Sequence, residues 1–210
     1  METYVVRVWL PDRPGALGQV ASRIGALRGD VVGIDILERG GGLAVDELAV
    51  SLPDGSLIEL LVAEIVQVDG VAVEDVRRVA NDRPDAGLVA LEIAARVAEA
   101  DVERRLDLLC SLTSELLDGD WVVALDAKLR RSDVAYGVAP DVGWLAAFID
   151  GSRHLSAGDQ AASAPGDLAW ARLGDSDAVV AIGRAGRPFH TRERAQLALL
   201  TRFAAALITT

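Results

Sequence analysis

A single cysteine, Cys110, stands in 210 residues, so the chain can form no internal disulfide and no cysteine-based metal cluster. Histidine is nearly as scarce, with only His154 and His190. Clustered positive charge is missing as well. The formal net charge is −11, the isoelectric point is near 4.6, and Arg104-Arg105 and Arg130-Arg131 are isolated pairs. A face that grips phosphates needs grouped Lys and Arg, so direct nucleic-acid binding is excluded. No apolar run approaches the ~20 residues of a membrane span. The chain opens on strand-type residues rather than a basic and apolar leader, which predicts a cytoplasmic protein. What is present, 51% hydrophobic and 25% charged residues, is the composition of a folded chain with a core.

Groups able to do chemistry are few. Catalysis needs positioned acids, bases or nucleophiles. His190 falls in the turn before the last predicted helix, and His154 lies in a loop with no Cys or carboxylate at metal-ligand spacing. Cys110 sits on an apolar helical stripe and reads as a buried, inert thiol. Gly40-Gly41-Gly42 lies between two predicted strands and lacks the G-K-[S/T] ending of a phosphate loop, so it reads as a hairpin turn. Asp46-Glu47 are not paired acids, because adjacent strand residues point to opposite faces. These features predict no catalytic residue, no metal and no cofactor, and hence a protein that is not an enzyme.

The most informative segment is Asp12-Arg13-Pro14-Gly15-Ala16-Leu17. Before it, Tyr4–Trp9 is β-branched and aromatic, as a buried strand would be. After it, Leu17, Val20, Ala21, Ile24 and Leu27 define one apolar helix face. Arg13-Pro14 marks the predicted helix start, since proline at a first helical position loses no needed hydrogen bond. Gly15 adds no side chain, leaving the helix N-terminus open to close approach. That end exposes unpaired N–H groups and a partial positive charge, which suit a carboxylate, and Asp12 suits an ammonium group. A free amino acid carries both.

This segment resembles the first loop of an ACT domain, the ligand-sensing module of amino-acid metabolism, which often reads D/N-R-P-G-x-L. The order that follows extends the resemblance over roughly residues 3–80: a helix ending at Gly29, a strand Val31–Leu37, the glycine turn, a strand Leu43–Leu52, a helix near Ser56–Val66 and a strand Val71–Val79. That order is βαββαβ, the ferredoxin-like plan of an α+β fold. The resemblance implies a ligand held between the first loop of one protomer and the matching surface of another. The N–H groups of Gly15, Ala16 and Leu17 would take the carboxylate and Asp12 the amine, with Arg13 in the same loop and Leu10 and Pro11 shaping the entrance. Asp30, Val31 and Val32 would close the site from across the interface. Here the Asp follows Gly29 directly, one place earlier than in many ACT domains.

The expected domains are 1–80 (ACT-like), a polar linker at 81–87 and a second domain at 88–210. The second begins with a helical tract from Leu88 to Leu117. Leu88, Leu91, Ala95, Ala98 and Val102 form a first stripe, and Leu106, Leu109, Leu112 or Thr113, and Leu116 form a second after a slip near Arg104-Arg105. It is one bent helix or two broken near Asp101, and the stripe is a core face or a dimer seam. Trp121–Asp126 and Val134–Val138 read as strands, Gly143–Ile149 as strand or helix, and Ser152 to Gly166 as a loop. Asp167–Leu173 and Asp177–Gly183 form a predicted hairpin, followed by a helix over Thr191–Ile208 with Thr191 as N-cap. The hairpin, Arg187-Pro188-Phe189-His190-Thr191-Arg192-Glu193 and the terminal helix resemble the end of a GAF domain, here a reduced one with a short middle segment.

Together these features predict a non-catalytic amino-acid-sensing or regulatory protein, homodimeric through its ACT-like domain, with an enzyme or regulator on a separate chain as a possible partner. The alternative is an interaction module that pairs through sheet edges and helices without a ligand.

Overall fold

Thr3, Val5, Val6 and Val8 give Glu2–Pro11 its β-branched residues, and this segment forms β1, one of two central strands in a four-stranded antiparallel sheet. The computed structural model describes residues 1–82, 84–126, 128, 131–152 and 166–208. They divide into two units, Met1–Asp85 and Ala86–Thr210. No helix among the described residues is long and apolar enough to cross a membrane.

In the first unit β1 is followed by α1 (Ala16–Ala26), β2 (Asp30–Gly40), β3 (Leu43–Leu52), a short 3-10 turn at Gly55–Leu57, α2 (Ile58–Ile65) and β4 (Ala72–Val79). The sheet order β2-β3-β1-β4 completes the ferredoxin-like βαββαβ plan. Alternation decides the layers. Tyr4, Val6, Val8 and Leu10 of β1 and Leu48, Val50 and Leu52 of β3 pack under Val20 and Ile24 of α1 and Leu61 and Ile65 of α2. Each such side chain contributes about 1.5–3 kcal/mol on burial. On the opposite face Arg7 Nε meets Glu47 Oε2 at 2.7 Å, and Arg77 bridges Glu47 and Asp75 at 3.2 and 2.9 Å. The β2–β3 hairpin turns through Gly41 (φ 61°) and Gly42 (φ 80°), a backbone that glycine adopts without strain.

The ends of α1 depart from the sequence expectation. The helix does not start at Arg13-Pro14: its first residue is Ala16 and its N-cap is Gly15, in the left-handed region at φ 87°. Nor does it run to Gly29. It stops at Ala26, and Arg28, not a glycine, takes the left-handed position at φ 57°. The N–H groups of Arg28 and Gly29 donate to Gly25 O and Ile24 O at 2.9 and 3.1 Å, a Schellman closure. Gly29 is required for room, since a Cβ there would lie 2.9 Å from Ile24 Cγ2 and 3.0 Å from Leu52 Cδ2.

The second unit runs α3 (Ala86–Glu99), α4 (Val102–Leu116), β5 (Trp121–Asp126), β6 (Arg131–Gly137), α5 (Val142–Ser152), β7 (Leu168–Arg172), β8 (Ala178–Gly183) and α6 (Thr191–Ile208). Its antiparallel sheet has the order β6-β5-β8-β7. Val122, Ala124, Val180 and Ile182 face the helices α3, α4 and α6, while Val123, Leu125, Val179 and Ala181 face α5. The helical tract is two helices broken at Ala100-Asp101, with Arg105 Nε donating to Ala100 O at 3.1 Å. α3 begins at Ala86, inside the stretch read as a linker. Gly143–Ile149 is helical, and its Phe148 ring stacks on Trp144 and meets Trp170 edge-on, both at 5.6 Å between centroids.

The stripe read on α3 is not its core face. Leu88 and Leu91 are 65% and 68% exposed and Ala95, Ala98 and Val102 are exposed too, while Ile93 and Val97 are buried. On α4 the expected face is the buried one, with Leu109, Leu112 and Thr113 inward. The N-cap of α6 is His190 rather than Thr191: its carbonyl accepts the Arg194 N–H at 3.0 Å, and its own N–H donates to Glu193 Oε2 at 2.9 Å. His154, Arg130 and the loop predicted between Ser152 and Gly166 fall on residues outside those described, apart from the two end residues.

Candidate functional site

β1 ends at Pro11, whose ring packs on the turn before β4, where a Cβ on Gly70 would lie 2.9 Å from Pro11 Cγ. The chain then bends sharply. Arg13 N–H donates to Pro11 O at 2.8 Å, and Asp12 N–H donates to Gly42 O at 2.9 Å, tying the loop to the β2–β3 turn. Ala16 N–H donates to Arg13 O at 3.3 Å, and Gln19 N–H donates to Gly15 O at 3.0 Å to open α1.

The N-terminus of α1 is left open. Gly15 offers no capping side chain, the first turn holds no acid, and nothing lies within 4 Å of where a Gly15 Cβ would be. The amides of Gly15 and Leu17 have no acceptor among the described residues. An uncapped helix start concentrates partial positive charge on such N–H groups, and an anion would complete it. Ala16, by contrast, already spends its N–H on Arg13.

Asp12 and Arg13 are exposed, so their charges stand at the surface of the loop. Leu10 is buried in the core among Val8, Ala44 and Leu48, and its side chain lines no entrance. Asp30 and Val32 are exposed and Val31 packs on the core. These three do not meet Asp12 within one chain. Asp30 pairs with Ser51 at the Thr3 end of the sheet, while Asp12 follows Pro11, level with Leu43 and Gly40. At ~3.3 Å per residue the separation along β2 is roughly 30 Å. β2 is an edge strand, bulged at Val32 and Leu37, with Val32, Ile34 and Ile36 exposed.

One acid near the loop escapes a functional reading from sequence. Asp46 pairs across the sheet with Val8 and Ile36, placing it on the helix-side face, opposite in direction to Glu47. It is 4% exposed and its Oδ1 has no hydrogen-bond partner. Burial pushes its carboxyl above the ordinary 3.8, the Asp12 charge adds to that, and Arg39 opposes it. The signal was available in the strand parity, because position 46 falls on the core-facing set with Ala44, Leu48 and Val50.

Cys110 is buried, and burial together with the Asp107 charge pushes its thiol up to about 12. Among the described residues no group of three or more His, Cys, Asp or Glu could hold a metal ion. In the second unit a cavity of about 370 Å³ opens between Trp121, Val138 and Trp144, with Asp120 and Asp167 on its rim. Arg184 reaches it, but its guanidinium already donates to Leu117 O, Arg187 O, Pro188 O and both carboxylate oxygens of Glu193.

No model of a known protein family matches the chain, and no curated protein does. Among solved structures it is similar to the ACT domain from a GTP pyrophosphokinase of Chlorobium tepidum, at 18% identity and TM-score 0.31, over 38% of this chain and 100% of that one. It is similar to an uncharacterized protein from Thermotoga maritima at 20% identity and TM-score 0.30, over 37% of this chain and 96% of that one. A formyltetrahydrofolate deformylase from Pseudomonas putida KT2440 is similar at 18% identity and TM-score 0.32, and the match spans 45% of this chain and 38% of the deformylase.

Proposed function

We propose that this chain is a non-catalytic sensor of free amino acids, acting as a regulatory protein. Its ligand would lie on the Asp12–Leu17 loop, with the carboxylate on the open amides of Gly15 and Leu17 and the ammonium toward Asp12. The observation that carries this reading is the uncapped N-terminus of α1 beside an exposed acid, an arrangement of opposite charges that fits a zwitterion.

The site is completed by a second copy. A two-fold pairing of the β2 edges, antiparallel strand to strand, would set Asp30–Val32 of one protomer beside the Asp12 loop of the other. The exposed Val32, Ile34 and Ile36 and the unpaired edge support it. Ligand binding and pairing would then be thermodynamically linked. The second unit is read as a reduced GAF-like domain, on its sheet between three helices and one and its Arg-Pro-Phe-His entry to α6. An enzyme or transcription regulator on another chain would receive the signal.

The test is a thermal-shift and calorimetry screen of the full chain against the common amino acids. A ligand at about 100-fold its Kd should stabilise the protein by about 2.7 kcal/mol. No shift from any amino acid at millimolar concentration rejects the sensor. A second reading, an interaction module without ligand, is favoured by the exposed Leu88 and Leu91 on α3. It predicts that oligomeric state by light scattering responds to Leu91→Glu and to no amino acid.

A further inference from the structure

We infer that Asp46 forms the floor of a cation subsite beneath the Asp12–Gly15 loop, one that accepts a primary ammonium group. The inference rests on the amino-acid reading above and deepens it: the ligand's ammonium would lie between Asp12 at the surface and Asp46 beneath it.

The position comes from the ladder. Asp46 stands between Val8 of β1 and Ile36 of β2 on the face that α1 covers. The Asp12 amide bound to Gly42 O draws the β1–α1 loop down beside this end of β3. The charged groups that Asp46 feels are Asp12 on the loop and Arg39 near the end of β2. The core face of α1 presents only Ala16, Val20 and Ile24, and the cross-strand neighbours are apolar.

The chemistry comes from the missing partner. Among the described residues the other buried acids are satisfied, Glu47 by Arg7 and Arg77 and Glu193 by Arg184. Asp46 Oδ1 has no donor at all. A carboxylate with one oxygen buried and unpartnered is costly as an anion, burial strengthens its hold on a proton, and an added cation would offset that cost. An ammonium supplies both the charge and up to three N–H donors. A metal ion would need further ligands, and no group of three acids, histidines or cysteines is present among the described residues. A bound ammonium favours the ionised form, so binding shifts the Asp46 carboxyl toward release of its proton to solvent, and the carboxylate accepts an N–H of the ammonium.

The sign of the pH effect follows. Asp46 has a raised folded-state pKa, so the native protein holds this proton more tightly than the unfolded chain does. Its burden on stability is absent below the ordinary value of 3.8 and grows as pH rises through the raised value. Asp46→Asn removes the burden, so the stability advantage of the variant over the parent should widen from pH 4 to pH 7. A constant difference across that range speaks against the buried, unpaired carboxylate.

The deciding experiment titrates the full chain with the amino acid giving the largest thermal shift, with its N-acetyl form, and with methylammonium chloride. Asp46→Asn should weaken binding of the free amino acid by about 10- to 100-fold. Asp12→Asn should weaken it only a few-fold, being a surface charge, and the N-acetyl form should bind neither parent nor variant. Calorimetry across pH 4 to 7 in buffers of different ionisation enthalpy should show more proton release on binding for the parent than for Asp46→Asn. If an amino acid binds Asp46→Asn as tightly as the parent, the subsite is overturned and the sensor reading stands. If no amino acid binds but methylammonium shifts the Asp46 carboxyl ¹³C resonance, the sensor reading falls and the subsite stands. Silence from all probes overturns both.

Discussion

Two helices of this chain are entered through an Arg-Pro turn, and they are finished in opposite ways. Arg13-Pro14 leads into α1, where Gly15 is the N-cap, position N3 is Gly18, and no side chain closes the first turn. Arg187-Pro188 leads into α6, where Glu193 at N3 reaches back to the His190 N–H and is itself gripped by Arg184, whose guanidinium lies 4.0 Å over the Phe189 ring. One helix start is held by four donated bonds of a single arginine, whose fifth goes to Leu117 O at the end of α4, and the other is open to solvent. With glycine at the N-cap, α1 forgoes roughly a few tenths of a kcal/mol relative to a Ser, Thr, Asp or Asn cap. On the proposed sensor reading a ligand supplies the partner missing at α1, whereas at α6 Glu193 caps the His190 N–H from within the chain.

The largest effect should come from breaking the closed end. Arg184→Ala leaves Glu193 buried without its cation and strands the carbonyl of Leu117, at an expected cost of about 3–5 kcal/mol. Scanning calorimetry should show the transition fall by roughly 10 °C. A variant that melts with the parent would show that the lock is dispensable.

The next change turns the open end into a copy of the closed one. Gly18→Glu puts an acid at N3 of α1, where nothing lies within 4 Å of the new Cβ, and lets it reach the Gly15 N–H. Better helix propensity and the favourable terminal charge should stabilise the protein by about 1 kcal/mol. The same carboxylate would occupy the amides assigned to the ligand, so amino-acid binding should fall at least tenfold while the melting temperature rises. Stabilisation with unchanged binding would place the ligand elsewhere.

The smallest effect compares the far ends of two helices. α1 and α4 both close with a left-handed non-glycine residue followed by a glycine that must have no side chain. In α4 these are Asp118 (φ 52°) and Gly119, whose Cβ would lie 2.6 Å from Ile182 Cδ1. Arg28→Gly should relieve backbone strain and add up to about 1 kcal/mol. Asp118→Gly should gain nothing, because the Asp118 carboxylate also accepts from Arg187. Urea midpoints of the two variants would separate these outcomes.

Much of the architecture is determined by local pattern. The alternation in β1, β5 and β8, the Gly41-Gly42 turn and the loop Asp12–Gly15 follow from residue chemistry acting over a few positions, because period-two burial and positive φ are local requirements. The opposed directions of Asp46 and Glu47 are equally legible from sequence. Other features were decided only by the tertiary structure. α3 is apolar on more than one side, so periodicity could not say whether Leu88-Leu91 or Ile93-Val97 would face the core; the position of α4 and α6 chose the second pair. Gly143–Ile149 was undecided for the same reason, since a short apolar run suits either element until a sheet face is there to receive it. Strand parity puts Asp46 on the covered face, but no pattern shows whether a partner waits there. That depends on which side chains converge from β1, β2 and α1, and here they bring none within hydrogen-bond reach of Oδ1. Pairing of buried charge is a three-dimensional condition, whereas the placing of a side chain on one face of a strand is a local one.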